Sequence, residues 1–265
     1  MAKGGGEAVI SDVLKWLNDP AHWRDRPADS FIGIPSQVEA HLRFSAIALG
    51  IALVIAVPIG LAIGHTGRGT AIVSSTNAAR AVPTVGLLVL LALMISPHFY
   101  GRTDLGYLLP TEIVLVLIAI PPILANTYAG IDNVDASVRD AARGMGMTGG
   151  EVLWRVEVPN SLPLMFSGLR SSALQVIATA TVASYFPLNG LGRYIYDGAA
   201  QRDFPQMVSG GVLVAALAML VDLVLATVQR LVVSPGVTRR FSKKTSAAAD
   251  APTGALRTKG EVATG

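Results

Sequence analysis

Between residues 42 and 228 the chain is dominated by apolar runs of roughly twenty residues, and no other feature constrains it as strongly. A run of that length spans the ~30 Å hydrocarbon layer as an α-helix, which satisfies every backbone N–H and C=O group within itself. The runs lie at about 42–64, 71–96, 113–129, 164–186 and 208–228, so five membrane crossings are expected. Composition agrees. With 51% hydrophobic and 15% charged residues and a mean hydropathy of +0.51, a 265-residue chain is too apolar for an ordinary soluble domain.

Polar residues inside these runs are costly against lipid and therefore informative. The second run carries Asn77 and Arg80 and then Pro83, which should face neighbouring helices, an aqueous cavity or the near interface. In the third, Pro121 and Pro122 remove two backbone donors, so the helix should bend or partly unwind there, inside the bundle and near Asn126. The fourth opens with Gly168 and Arg170 and is rich in Ser, Ala and Thr, which lets backbones approach closely, centrally or against a partner subunit. Asp222 sits in the middle of the fifth. It reads either as an ion or substrate contact or as a hydrogen-bonded anchor between helices, and the anchor is favoured. Arg80 and Arg170 read as counter-charges or as snorkelling side chains.

Outside the membrane domain at 42–232, residues 1–41 form an N-terminal segment with a short amphipathic helix at 8–18, then irregular chain with Pro20, Pro27 and Pro35. Val9, Ile10, Val13, Leu14, Trp16 and Leu17 suit either the membrane interface or a packed surface. No apolar core follows Lys3, so a cleavable signal is not expected and insertion should begin at the first crossing. A second polar insertion at 187–205 offers Tyr194, Tyr196 and Phe204 to the headgroup level. Residues 233–265 are basic, then Ala-, Thr- and Gly-rich, and are expected to be disordered. Arg230, Arg239, Arg240, Lys243 and Lys244 place the C-terminus in the cytoplasm of a multi-pass cell-membrane protein; five crossings then put the N-terminus outside, although Lys15, Arg24 and Arg26 soften the bias.

Several chemistries lack their signatures. There is no cysteine, and His22, His41, His65 and His98 are scattered with no HExxH spacing, so no metal site is expected. No GxxxxGK[ST] loop is present for ATP. The pI of 9.3 comes with a net charge of only +3, and the basic residues cluster at membrane boundaries, so nucleic acid is not an expected partner.

The polar interruption at 132–163 reads differently from a plain loop. Val138, Ala141, Ala142 and Met145 share one helix face, with Arg139 and Arg143 on another. Asp135 can cap this helix, or Ser137 and Asp140 can form a weak capping box. Gly144 and Gly146 then interrupt it, and Thr148 with Glu151 opens a second helix that Pro159 should end. The reading is helix, glycine turn, helix.

Asp140, Ala141, Ala142 and Gly146, followed by Val156, Glu157, Val158 and Pro159, resemble the EAA signature of the membrane subunits of bacterial ABC importers. Together with Asn126, Val134, Thr148, Leu162, Pro163, Gly168 and Arg170 they are similar to the osmoprotectant branch, which imports glycine betaine, choline, carnitine or proline betaine. The resemblance implies an all-α type I ABC importer transmembrane domain with coupling helices at about 136–158. Asp140, Ala141, Ala142, Arg143, Gly144, Met145, Gly146, Thr148 and Pro159 would serve ATPase coupling. It also implies a second permease subunit, an extracytoplasmic substrate-binding protein, and a separate ATPase that holds ATP and Mg, with no cofactor on this chain. Two departures stand out: the usual first Glu is Asp140, and residues 183–192 keep only the final Gly190-Leu191-Gly192 of a glycine-rich segment. Rival readings are an amino-acid or other small-solute importer of the same fold, and a membrane scaffold or integral-membrane enzyme.

Overall fold

The computed structural model describes residues 4–78, 83–99 and 104–233. Arg80 and the tail beyond residue 233 lie outside the described residues. The α-helices are α1 Gly4–Asn18, α2 Ile34–Thr66, α3 Thr70–Ala78, α4 Thr84–Ile95, α5 Leu105–Asp132, α6 Ala136–Gly144, α7 Gly149–Val152, α8 Val158–Ala180, α9 Gly192–Gln201 and α10 Phe204–Val232. Among the described residues the only extended pairing is an isolated bridge between Arg26 and Phe31.

The first crossing starts at Ile34, eight residues before the apolar run that announces it. Pro35 fixes a helical φ in the first turn, where its missing N–H costs nothing. Asp25 supplies the cap from a distance: its carboxylate accepts from the Gly33 N–H at 2.7 Å and from the Ser36 hydroxyl at 2.8 Å. At 33 residues α2 is ~50 Å long, more than the hydrocarbon layer needs, so part of what the sequence assigns to irregular chain is the N-terminal end of a membrane helix.

The core is a layer of α2, α5 and α8. On α2, Ala48, Ala52 and Ala56 are fully buried, and Gly60 and Gly64 continue the same four-residue stripe. A Cβ on Gly60 would stand 2.8 Å from Thr127 Cβ, and one on Gly64 2.6 Å from Ile131 Cβ, so α2 and α5 run parallel in backbone contact. The α8 helix packs antiparallel to α5: Gly168 meets Asn126 and Ser161 meets Gly130, at 2.6 and 2.9 Å from the respective virtual Cβ positions. Small residues make this possible where no hydrophobic drive separates helix from lipid.

Among the described residues three helices, α2, α5 and α10, are long and apolar enough to span a membrane by themselves. The expected second crossing at 71–96 is divided: α3 ends at Ala78 and α4 starts after Pro83, giving a helix of 12 residues, ~18 Å. The expected fourth crossing is α8, which begins six residues earlier than its apolar run and is diluted by Ser, Thr and Asn. The α5 helix does not unwind at Pro121 and Pro122. Both prolines are buried within a continuous helix, and donors reach carbonyls beside them, Ser172 to Ala119 at 3.0 Å and Asn126 to Pro122 at 2.8 Å.

At the other end of the molecule α1 packs on α10 through Trp16 and Leu17, while Val9, Ile10 and Leu14 stay exposed. Tyr194, expected at the headgroup level, is buried instead: its ring meets Trp16 edge-on at 5.3 Å and its hydroxyl donates to the Ile32 carbonyl. Phe204 is exposed as expected.

Candidate functional site

The interruption at 132–163 folds from its own local signals. Asp135 accepts from the Ser137 N–H at 3.0 Å and so caps α6, the first of the two capping alternatives. After Gly144 the chain turns through Met145 and Gly146, whose φ of +85° lies in the region that favours glycine. Thr148 then opens α7 with a reciprocal capping box: its hydroxyl accepts from the Glu151 N–H, and its own N–H donates to the Glu151 carboxylate at 2.9 Å. The Thr148 N–H foremost, and then the Thr148 hydroxyl, which also donates to the carboxylate at 3.0 Å, hold Glu151 below the usual carboxylate range.

Pro159 does not end the second helix. Residues Leu153–Glu157 form a π-helix, and the Val158 N–H reaches back to the Leu153 carbonyl, so the chain passes without a break from α7 into α8. The wider turn accommodates a proline ring that an α-helical interior would not.

This element presents two faces. Asp140, Ala141, Gly144, Met145, Gly146 and Trp154 are exposed, Met145 at 72% and Trp154 at 64%. The apolar stripe is split between the faces, since Ala142 is buried at 2% and Val138 is half-buried while Ala141 and Met145 point away. Arg143 pairs loosely with Asp140 at 3.7 Å in the open. Thr148 and Pro159 are also exposed. A Cβ on Gly144 or Gly146 would meet nothing within 4 Å. The surface is a shallow apolar knuckle with small residues at its crest, suited to seating in a cleft of another protein.

The inward face carries a carboxylate that the signature contains but to which the sequence assigns no role. Glu157, 1% exposed, places Oε1 2.7 Å from Arg139 Nε and Oε2 2.6 Å from His65 Nδ1. Arg139 also donates to the Ile131 carbonyl. Thus Arg139 and Arg143, read as sharing a face, serve different sides of α6. A carboxylate set among Val156, Val158 and Pro159 is the signal that could have exposed the cluster, because such a residue needs partners.

The remaining candidates separate. Pro83 caps α4, Pro121 and Pro122 sit in the α5 core, and Asn126 packs on Gly168. Asp222 meets Arg170 in a bidentate pair, 2.8 Å at each oxygen, and Arg170 Nη1 reaches Gln229 at 3.5 Å. Asp222 is therefore the anchor between α8 and α10, and the structure does not bring it together with the prolines of α5. Near the other end of the layer, Gln37 accepts from the Gly190 N–H and His41 contacts the Ile177 carbonyl at 3.0 Å, buried polar contacts that no local pattern announces.

Residues 54–239 match the family of binding-protein-dependent transport system inner membrane components. The chain belongs to that family. Among its relatives, the glycine betaine/carnitine/choline transport system permease protein OpuCB of Bacillus subtilis is 33% identical over 198 residues, covering 74% of this chain and 87% of that protein. The osmoprotectant import permease protein OsmW of Salmonella typhimurium is 29% identical, covering 74% and 90%. The carnitine transport permease protein OpuCB of Listeria monocytogenes is 35% identical, covering 71% and 82%. In fold, the chain matches the inward-facing MetNI methionine ABC transporter with a TM-score of 0.65 at 19% identity, covering 75% of this chain and 95% of that one. This binding-protein-dependent permease is thus a transport subunit of the membrane, with the helical transmembrane fold of a type I ABC importer. The family match starts at Val54, which leaves α1 and the N-terminal part of α2 beyond it.

Proposed function

We propose that this permease carries compatible solutes of the betaine class, glycine betaine, choline, carnitine or proline betaine, inward across the cell membrane at the expense of ATP held, with Mg, on a separate ATPase subunit. The cargo rests on the relatives, whose names specify glycine betaine, carnitine and choline and which this chain matches along most of their length. A second permease subunit completes the path, and an extracytoplasmic binding protein delivers the solute.

The observation that carries the coupling role is the exposed crest of Ala141, Gly144, Met145 and Gly146 joined without a helix break to α8. An ATPase that grips the crest moves a membrane helix directly, since packed elements shift as units rather than deform. Residues 136–158 are the coupling helices, 42–232 the membrane domain, and Pro83, Pro121, Pro122 and Asn126 line or pack the helices of the path. Sidedness follows the chain. Parallel α2 and α5 both end at the face that holds α6 and α7, and the positive charges beyond α10 favour that face as cytoplasmic, with the N-terminus outside. The test is uptake of labelled glycine betaine, choline, carnitine and proline by osmotically stressed cells with and without the gene. Uptake of at least one betaine-class solute should depend on it; dependence of none overturns the cargo assignment.

A further inference from the structure

Four helices converge on one carboxylate. Glu157 takes His65 from the end of α2 and Arg139 from α6, Arg139 in turn holds the Ile131 carbonyl at the end of α5, and Glu157 itself leads directly into α8. The contacts join residues 92 positions apart in the chain.

The π-helix explains how Glu157 reaches this place. Val152 and Glu157 are five residues apart and both are buried, at 0% and 1%. In an α-helix five residues turn the chain to a side ~140° away, and Glu157 would point elsewhere. The i→i+5 turn at Leu153–Glu157 brings both onto one side. A π-turn is rare and costly enough that its presence at this point marks the position of Glu157 as the feature being preserved.

From this geometry we infer that Glu157 is a positioning residue for transport: a charged clasp that locks the coupling element to the inner ends of α2 and α5, so that displacement of the crest moves α2, α5 and α8 together. The inference rests on the coupling role given above. Packing alone ties α6 to the bundle weakly, since Ala142 is its one fully buried side chain, Val138 is only half-buried and Ala136 and Ala141 are exposed. The clasp supplies the stiffness that a nine-residue helix lacks.

Stability and transmission can be separated because a buried charge cluster is damaged most by losing one member, whereas replacing charged members by apolar ones of like volume is often neutral for folding. The test uses Glu157→Leu with Arg139→Met in the permease reconstituted with its ATPase and binding protein in proteoliposomes, with Glu157→Gln as a second arm. The double variant should co-purify with the ATPase as the parent does and hydrolyse ATP, while solute moved per ATP falls by about tenfold, within the range of ordinary coupling between sites. Unchanged solute per ATP in both variants overturns the clasp. Failure of both to accumulate in the membrane assigns the cluster to folding alone and overturns it equally. Ala141→Asp, on the crest, separates the two claims: it should weaken co-purification with the ATPase, which the clasp variants keep at the parent's level, and if it does not, the coupling role itself fails.

Discussion

Gly146 and Gly144 look alike in the sequence and differ in what they require. Gly146 needs its φ of +85°, which costs an L-residue roughly 1–2 kcal/mol, whereas Gly144 is helical with open space around it. Gly144→Leu should therefore leave the thermal stability of the purified permease within about 0.5 kcal/mol of the parent while weakening its co-purification with the ATPase. Glu151 carries a pH signature. Its folded pKa is depressed by the Thr148 cap, so the cap's contribution is present above the ordinary carboxylate value and is lost as pH falls through the lowered folded value. Amide exchange at α7 should accelerate on that acid side, and Thr148→Val, which removes the side-chain half of the cap, should show fast exchange already at neutral pH; equal protection in both proteins speaks against the cap. At this scale the sequence is most readable, since Asp135, Thr148 and Glu151 act on neighbours within three residues. The clasp of His65, Arg139 and Glu157 is the counter-example, its members being brought together by tertiary packing alone.

Among the helices, the stripe of Ala48, Ala52, Ala56, Gly60 and Gly64 decides how closely α2 meets α5. Gly64→Leu forces a side chain against Ile131 and should destabilise the protein by about 1–3 kcal/mol, read as a lower midpoint in detergent. Gly50→Ala, where nothing lies within 4 Å, is the control and should not lower it. Apolar runs show where crossings lie but not where helices start. The α2 cap comes from Asp25, eight residues before the helix's Gly33 partner, and the α8 start is set by a π-turn, so both helices begin before their hydrophobic signal. Pro159 misleads for the same reason: the rule that proline closes a helix assumes α-geometry on its N-terminal side. Asp222 was legible, because a lone carboxylate in an apolar run requires a partner, and Arg170 provides it.

Taken whole, the molecule separates what is packed from what awaits company. Its α2–α5–α8 layer is closed by small residues, while α10 leaves Met219, Leu220, Leu223, Val224 and Leu231 exposed. On the side where α2 and α5 end stands the crest of the coupling element. On the proposed function, this crest transmits ATP-driven motion into the layer. The most direct measurement is the number of betaine molecules accumulated per ATP hydrolysed in proteoliposomes containing the complete transporter, for the parent and for Ala141→Asp. The variant should insert normally, and its ratio should fall at least about tenfold. A ratio equal to the parent's would contradict that transmission.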